Sequence, residues 1–134
     1  MTKVIVTGAA GHMGKIVTRL VEEAPDMEIA ARISPSGSDG TLKHLEDYTG
    51  EADLVIDFSN HEGTKELMDY CTAHNVPAVV ATTGQTDEEK ACIEEAAKST
   101  PVFYSANMSV GVAFLTKIVK LAAEVFPDAD VEIV

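Results

Sequence analysis

Residues 4–14 read Val4-Ile5-Val6-Thr7-Gly8-Ala9-Ala10-Gly11-His12-Met13-Gly14, and the apolar residues that follow are Ile16, Val17, Leu20 and Val21. Val4 to Val6 is an unbroken apolar run of strand length. From Met13 onward the apolar positions fall three and four apart, the spacing of one helix face. The period changes at Gly8, so the stretch is a strand, a tight turn and a helix. The turn has the spacing G-x-x-G-x-x-G. It delivers backbone N–H groups at the positive end of a helix to a point where a dinucleotide pyrophosphate can lie, and a side chain at the turn would stand in the way. The competing reading, a glycine-rich turn with no ligand, is weakened by the strand and helix flanking it. His12 either reaches a phosphate or adenosine group from this turn or is an exposed first-turn histidine.

Working outward, a second strand is expected near Met27 to Ile33 after Pro25-Asp26, and Ser34-Pro35-Ser36-Gly37-Ser38-Asp39-Gly40 reads as loop. Short strands follow at Asp53 to Asp57, Pro77 to Ala81 and Pro101 to Ser105, each succeeded by a helical segment, with strand ends at 57, 81 and 105. That even spacing is what strand–helix units of a parallel sheet produce, because each crossover must return along the sheet. A helix over about Ser109 to Val125 and a strand over about Asp130 to Val134 complete the pattern. The expectation is an α/β, Rossmann-type, doubly wound parallel sheet of about six strands in the order 3-2-1-4-5-6, with helices on both faces.

Composition narrows the classes of partner. With 46% hydrophobic and 24% charged residues the 134-residue chain has the make-up of one globular domain. A net charge of −12 argues against nucleic acid or an anionic membrane surface as a partner, since these are held by Lys and Arg. It leaves room for a nucleotide cofactor, which backbone amides can hold. There is no apolar run of membrane-spanning length, and Met1-Thr2-Lys3 leads directly into the first strand, so the chain is expected to be cytoplasmic. Cys71 and Cys92 have no metal-ligand or disulfide spacing and read as small apolar residues.

In this kind of sheet a residue at the end of the second strand reads the adenosine ribose: a carboxylate suits the 2′-hydroxyl of NAD, a basic residue the 2′-phosphate of NADP. Here Ala30-Ala31-Arg32-Ile33-Ser34 has no carboxylate. Arg32 offers a planar fork of donors, and Ser34 and Ser36 offer hydroxyls. NADPH is therefore favoured over NADH, unless Arg32 is only a surface residue.

The remaining strand ends read Asp57-Phe58-Ser59, Ala81-Thr82-Thr83-Gly84 and Ser105-Ala106-Asn107-Met108-Ser109-Val110-Gly111-Val112. With the first turn, this ordered set resembles the dihydrodipicolinate reductases (4-hydroxy-tetrahydrodipicolinate reductases), whose pattern is G-x-x-G-x-M-G, D-F-[ST], G-T-T-G and A-N-F-S-x-G-V. The likeness runs over essentially the whole chain. It implies that Gly8, Ala9, Ala10, Gly11, His12 and Met13 cradle the pyrophosphate and adenosine. It also implies that Phe58, Ala81, Thr82, Thr83 and Gly84, with Ser105, Ala106, Asn107 and Met108, lie around the nicotinamide, whose carboxamide backbone groups can match. Ala81 stands for the family's glycine, Met108 for its phenylalanine, His12 for a frequent arginine and Ile33 for its acidic ribose residue. On the residues alone, Asn107 and Ser109 equally read as helix caps, and Asp57 and Phe58 as strand-end packing.

The resemblance also implies a reaction, hydride transfer from NAD(P)H to a cyclic unsaturated dicarboxylate of the lysine and diaminopimelate pathway. It implies a second domain that anchors that substrate and builds a tetramer. The family's His-His, Lys and Ser-Gly-Thr substrate motifs do not occur in residues 1–134. The expectation is a cofactor domain over 1–134 with no catalytic residue of its own, monomeric, and bringing the dicarboxylate to reaction only in the full-length enzyme. Two alternatives come from other classes. A short-chain dehydrogenase or epimerase needs Tyr-x-x-x-Lys, and the residues four beyond Tyr48, Tyr70 and Tyr104 are Ala52, His74 and Met108. A stand-alone nucleotide-sensing module would share the cofactor motifs.

Overall fold

The computed structural model describes residues 1–38, 40–130 and 132. Five parallel strands, β1 (Thr2–Thr7), β2 (Met27–Ile33), β3 (Leu54–Asp57), β4 (Ala78–Val80) and β5 (Val102–Tyr104), form one sheet in the order β2-β1-β3-β4-β5. Helix α1 (His12–Glu23) joins β1 to β2, α2 (Thr64–His74) joins β3 to β4, and α3 (Asp87–Ala96) joins β4 to β5; α4 (Val110–Val125) follows β5. This is the α/β, Rossmann-like arrangement expected, and the strands fall within two residues of their expected ends. No helix among the described residues is long and apolar enough to cross a membrane.

One expectation, the strand order, is corrected, and another lies outside the described residues. The order 3-2-1-4-5-6 would place β3 outside β2, yet β3 lies against β1, with Val4, Ile5, Val6 and Thr7 opposite Leu54, Val55, Ile56 and Asp57. The position beyond β2 holds one parallel bridge, Ile33 to Leu42. Among the described residues of 34–53 the regular structure is a short 3₁₀ turn, Leu45–Asp47, and the sequence lacks the apolar run a further strand would require. The chain therefore crosses directly from β2 to the other side of β1. The sixth strand was expected on 130–134; Val131, Ile133 and Val134 lie outside the described residues, and Asp130 and Glu132 have no regular structure.

β1 is the central strand in packing terms. Val4, Ile5 and Val6 are all fully buried, as a strand covered on both faces demands. Ile5 and its in-plane neighbours Ala31, Val55 and Ala78 pack with Leu67, Met68, Cys71 and Ile93 of α2 and α3. Val4 and Val6 face Val17 and Val21 of α1. The two layers are unequal. Near β4 and β5 the α1 face is not closed by a helix: Phe103 is 60% exposed, and α4 buries none of its residues although Phe114, Leu115, Ile118 and Leu121 are apolar. Helices do cover both faces, but α4 is not one of those that bury the sheet.

Candidate functional site

With β2 on one side of β1 and β3 on the other, chain direction reverses about β1, and a crevice opens at the carboxyl ends of β1 and β3. The glycine turn lies there, and its three glycines do different work. Gly8 has φ +70°, and a Cβ on it would come within 2.1 Å of the Phe58 carbonyl oxygen, so it lets the end of β3 close against β1. Gly14 lies under the turn itself; its Cβ would stand 2.0 Å from the Gly8 oxygen. Gly11 is the least obstructed of the three, a Cβ there meeting the Gly8 oxygen alone, at 3.1 Å. The turn is tied by Gly11 N–H to Gly8 C=O (2.9 Å) and by Ala9 N–H to Ile33 C=O (3.0 Å), which fixes it to the end of β2.

Helix α1 starts at His12 with Gly11 as N-cap, has no side-chain cap and no acid in its first turn. Two of the other three α-helix starts are closed by a side chain, whereas α2 has no side-chain cap of its own and continues a capped 3₁₀ turn, His61–Gly63. In α3, Thr86 and Glu89 form a reciprocal capping box, Ser109 accepts from Val112 N–H at α4, and Asn60 accepts from Glu62 N–H ahead of α2. An uncapped helix start beside a lightly obstructed glycine is a cradle for an anion. A cleft of about 390 Å³ lies alongside, lined by Met13, Phe58, Ala81, Ala106, Asn107, Met108 and Ser109. The structure thus brings together residues drawn from the ends of β3, β4 and β5 and one from α1. Met13, which helical spacing would place in the core, is exposed and faces this cleft.

The strand ends beside this cleft are held together by a carboxylate, which with Thr7 and Ser59 borders a neighbouring pocket. Asp57 is 2% exposed, and its Oδ1 accepts from Thr7 Oγ1 (2.5 Å), Ser59 Oγ (2.5 Å) and Ser59 N–H (3.2 Å). Ser59 N–H is shared with Thr82 Oγ1 at 2.8 Å, while Ala81 N–H donates to the Asp57 carbonyl. These bonds lock the ends of β1, β3 and β4 to one another. Thr82 is consequently a buried structural hydroxyl, its carbonyl receiving Gln85 Nε2 (2.9 Å), and Gln85 in turn accepts from Tyr104 Oη (3.1 Å). Thr83 and Gly84 are exposed at the rim, Gly84 with φ +92°. Asn107 Oδ1 accepts from Ser109 N–H (2.8 Å) and Ser105 Oγ donates to the Asn107 carbonyl (2.9 Å), so both side chains also shape the entry to α4.

Other expected residues lie elsewhere. His12 is exposed at the first position of α1, and Ala10 is half-buried in the turn. Ile33 points into the core beneath α2, whereas Arg32 is exposed on the α1 side and lines a separate pocket with Lys15 and Arg19. Ser34 is buried, its hydroxyl 3.1 Å from that of Ser36. Sequence reasoning missed Thr7 and Ser59 as partners of Asp57, and Lys15 and Arg19 as neighbours of Arg32. Of these, only the 15/19 spacing leaves a sequence signal, and it is one that any solvated helix face shares.

Residues 2–108 match the family model described as dihydrodipicolinate reductase, N-terminus. The chain belongs to the dihydrodipicolinate reductase family. It corresponds to that family's N-terminal, Rossmann-type nucleotide-binding domain, which takes a nicotinamide dinucleotide. The 4-hydroxy-tetrahydrodipicolinate reductase of Caldanaerobacter subterraneus subsp. tengcongensis is 41% identical over 137 residues, covering 100% of this chain and 55% of that protein. That of Clostridium tetani is 34% identical over 139 residues, covering 100% and 54%. Among solved structures, a dipicolinate-bound dihydrodipicolinate reductase from Paenisporosarcina sp. TG-14 superposes with a TM-score of 0.77 at 27% identity, over 96% of this chain and 56% of that one. The chain spans about 55% of the length of these relatives.

Proposed function

We propose that this chain holds NAD(P)H across the β1/β3 crevice, as the cofactor-binding portion of a 4-hydroxy-tetrahydrodipicolinate reductase. The observation that carries it is the start of α1: it has no side-chain cap, it stands over Gly11, the least obstructed glycine of the turn, and it opens into the cleft of Met13, Phe58, Ala81 and Ala106 to Met108. The N–H groups at His12 and Met13 meet the pyrophosphate, and Gly11 admits it. Met13, Phe58 and Met108 supply apolar contact to one ring face and keep water from it. The strand-end backbone at 81 to 84 and 105 to 108 pairs with the carboxamide and sets which face is presented. When bound, the reduced nicotinamide supplies the hydride; the Asp57 network holds the three strand ends still while it does so.

The cyclic dicarboxylate is taken up by the protein in which these residues are joined to the remainder that the relatives carry, in the cytoplasm. Residues 1–134 alone bind cofactor without turnover. Aligning one of two reactants forgoes an orientation term on the order of 7–11 kcal/mol. NADPH binds at least as well as NADH, since Ile33 leaves no carboxylate for the ribose and Arg32 supplies a cation at that strand end. Calorimetric titration with each cofactor tests the reading: both should bind, and Gly11→Trp should abolish binding while far-UV circular dichroism is unchanged. Undiminished binding by Gly11→Trp would overturn it.

A further inference from the structure

The strand-end turn after β4 leaves its middle unfastened. Thr83 and Gly84 are exposed and, among the described residues, make no hydrogen bond, so their backbone N–H and C=O groups are open to a ligand. Where those groups stand is decided by what grips the turn on either side. At its start Thr82 is tied twice, its hydroxyl accepting from Ser59 N–H (2.8 Å) and its carbonyl from Gln85 Nε2 (2.9 Å). Beyond it, His61 takes hold. His61 opens the 3₁₀ turn that follows β3, and its Cδ2 lies 3.6 Å from where a Cβ on Gly84 would stand, so the ring is laid against the turn. Its Nδ1 meets Glu89 Oε2 at 2.9 Å and Oε1 at 3.1 Å, between side chains only 35% and 20% exposed.

The chemistry of this pair fixes its hydrogen. A carboxylate only accepts, so Nδ1 carries the proton and donates, whether the imidazole is neutral or charged. Glu89 is itself built in: it belongs to the capping box of α3, its Oε2 accepting from Thr86 N–H at 2.7 Å. The Thr86 N–H, with His61, keeps the Glu89 carboxyl below the usual carboxylate range, so the acceptor is ionised at neutral pH. His61 thus joins the loop after β3 to the first turn of α3, 28 residues on, with the unfastened turn of Thr83 and Gly84 between them. Neither His61 nor Glu89 lines the cleft. We infer that His61, acting through Glu89, is a positioning residue for the nicotinamide end of the dinucleotide, setting the backbone of Thr83 and Gly84 where it meets the carboxamide. This inference rests on the dinucleotide reading above. Ordering that backbone before the ligand arrives removes a cost that binding would otherwise bear. The pyrophosphate and adenosine, held at the glycine turn, gain nothing from it.

The test separates the donor from the ring and one end of the cofactor from the other. NADH and ADP-ribose, which lacks the nicotinamide, are titrated calorimetrically into the chain, His61→Phe and His61→Asn. His61→Phe keeps a ring against Gly84 and removes the donor. His61→Asn gives up the ring and keeps a donor the same number of bonds from the backbone as Nδ1. His61→Phe should weaken NADH about fivefold, the worth of one ordinary hydrogen bond, and leave ADP-ribose within about twofold. His61→Asn should bind both ligands within about twofold of the unmodified chain. A general loss of structure lowers ADP-ribose as well. Equal losses for the two ligands in His61→Phe would therefore overturn the positioning role, as would undiminished NADH binding or a His61→Asn loss equal to that of His61→Phe. In each of those cases the dinucleotide reading stands. Failure of the unmodified chain to bind NADH and ADP-ribose alike would overturn both.

Discussion

Gly14→Ala separates two ways of reasoning about the glycine turn, because they give opposite signs. By helix propensity the change should stabilise α1 by up to about 1 kcal/mol. In the structure the added Cβ would lie 2.0 Å from the Gly8 oxygen and 2.7 Å from Ala9 Cα, both backbone atoms that no rotamer change can move. Carbon contacts settle at about 3.5–4.0 Å, so the first turn of α1 must withdraw by roughly an ångström. That withdrawal loosens Val17 and Val21 from Val4 and Val6. Overpacking of this kind costs about 1–3 kcal/mol, and two fixed backbone clashes place it toward the upper end, leaving a net loss of about 1–2 kcal/mol after the propensity gain. Gly11→Ala is the companion: its φ is −73°, its Cβ would meet the Gly8 oxygen at 3.1 Å, a tight but small overlap, and Ala is a poorer N-cap than Gly, so stability should fall by about 0.5–1 kcal/mol, less than for Gly14→Ala, while cofactor affinity falls. Urea unfolding followed by circular dichroism measures the first quantity and calorimetry the second. A Gly14→Ala midpoint at or above that of the unmodified chain would refute the assignment of Gly14 to packing and Gly11 to ligand approach.

Three further outcomes follow from the same geometry. Burial, with the nearby Asp57 carboxylate adding to it, pushes the Cys71 thiol up to about 12, so a thiol reagent at pH 8 should modify half-buried Cys92 and leave Cys71 intact until the chain unfolds; two fast-reacting thiols in the native state would contradict this. The Thr86 backbone N–H, aided by His61, holds the Glu89 carboxyl below the usual carboxylate range, so its contribution to stability is present above its unfolded value and is lost as pH falls through the lower folded value; carbon-13 titration should find a midpoint below about 4.3, and His61→Ala, which removes the imidazole partner, should bring it part of the way back while the Thr86 N–H still holds it low. Removing residues 109–134 should sharply reduce binding of a hydrophobic dye and leave the urea midpoint unchanged, since α4 buries none of its residues; a large fall in the midpoint would show that α4 packs on the sheet.

Much of the local structure was legible because local rules decide it. Val4 to Val6, the switch to helical spacing at Gly8 and the cap residue Ser109 announce their elements through neighbours a few positions away, and the elements form within one or two residues of where they were expected. The residues of the cleft, Met13, Phe58, Ala81 and Ala106 to Met108, were singled out by the family resemblance of their motifs and not by local spacing, which by itself reads Met13 as helix core and Phe58 as strand-end packing. Tertiary structure decided the rest. Nothing in residues 53–57 says that they pair with β1 and not with β2; pairing is a non-local choice, made because residues 34–53 offer no strand to lie beyond β2. Likewise, no periodicity tells that Gly14 serves packing while Gly11 is less obstructed, that Asp57 gathers Thr7, 50 residues away in sequence, together with its near neighbour Ser59, or that Arg32 finds Lys15 and Arg19. Sequence patterns report which side of an element is apolar, through short-range spacing. Which element meets that side is settled by the free energy of closing long loops against the surface they bury, and that balance exists only in the folded chain.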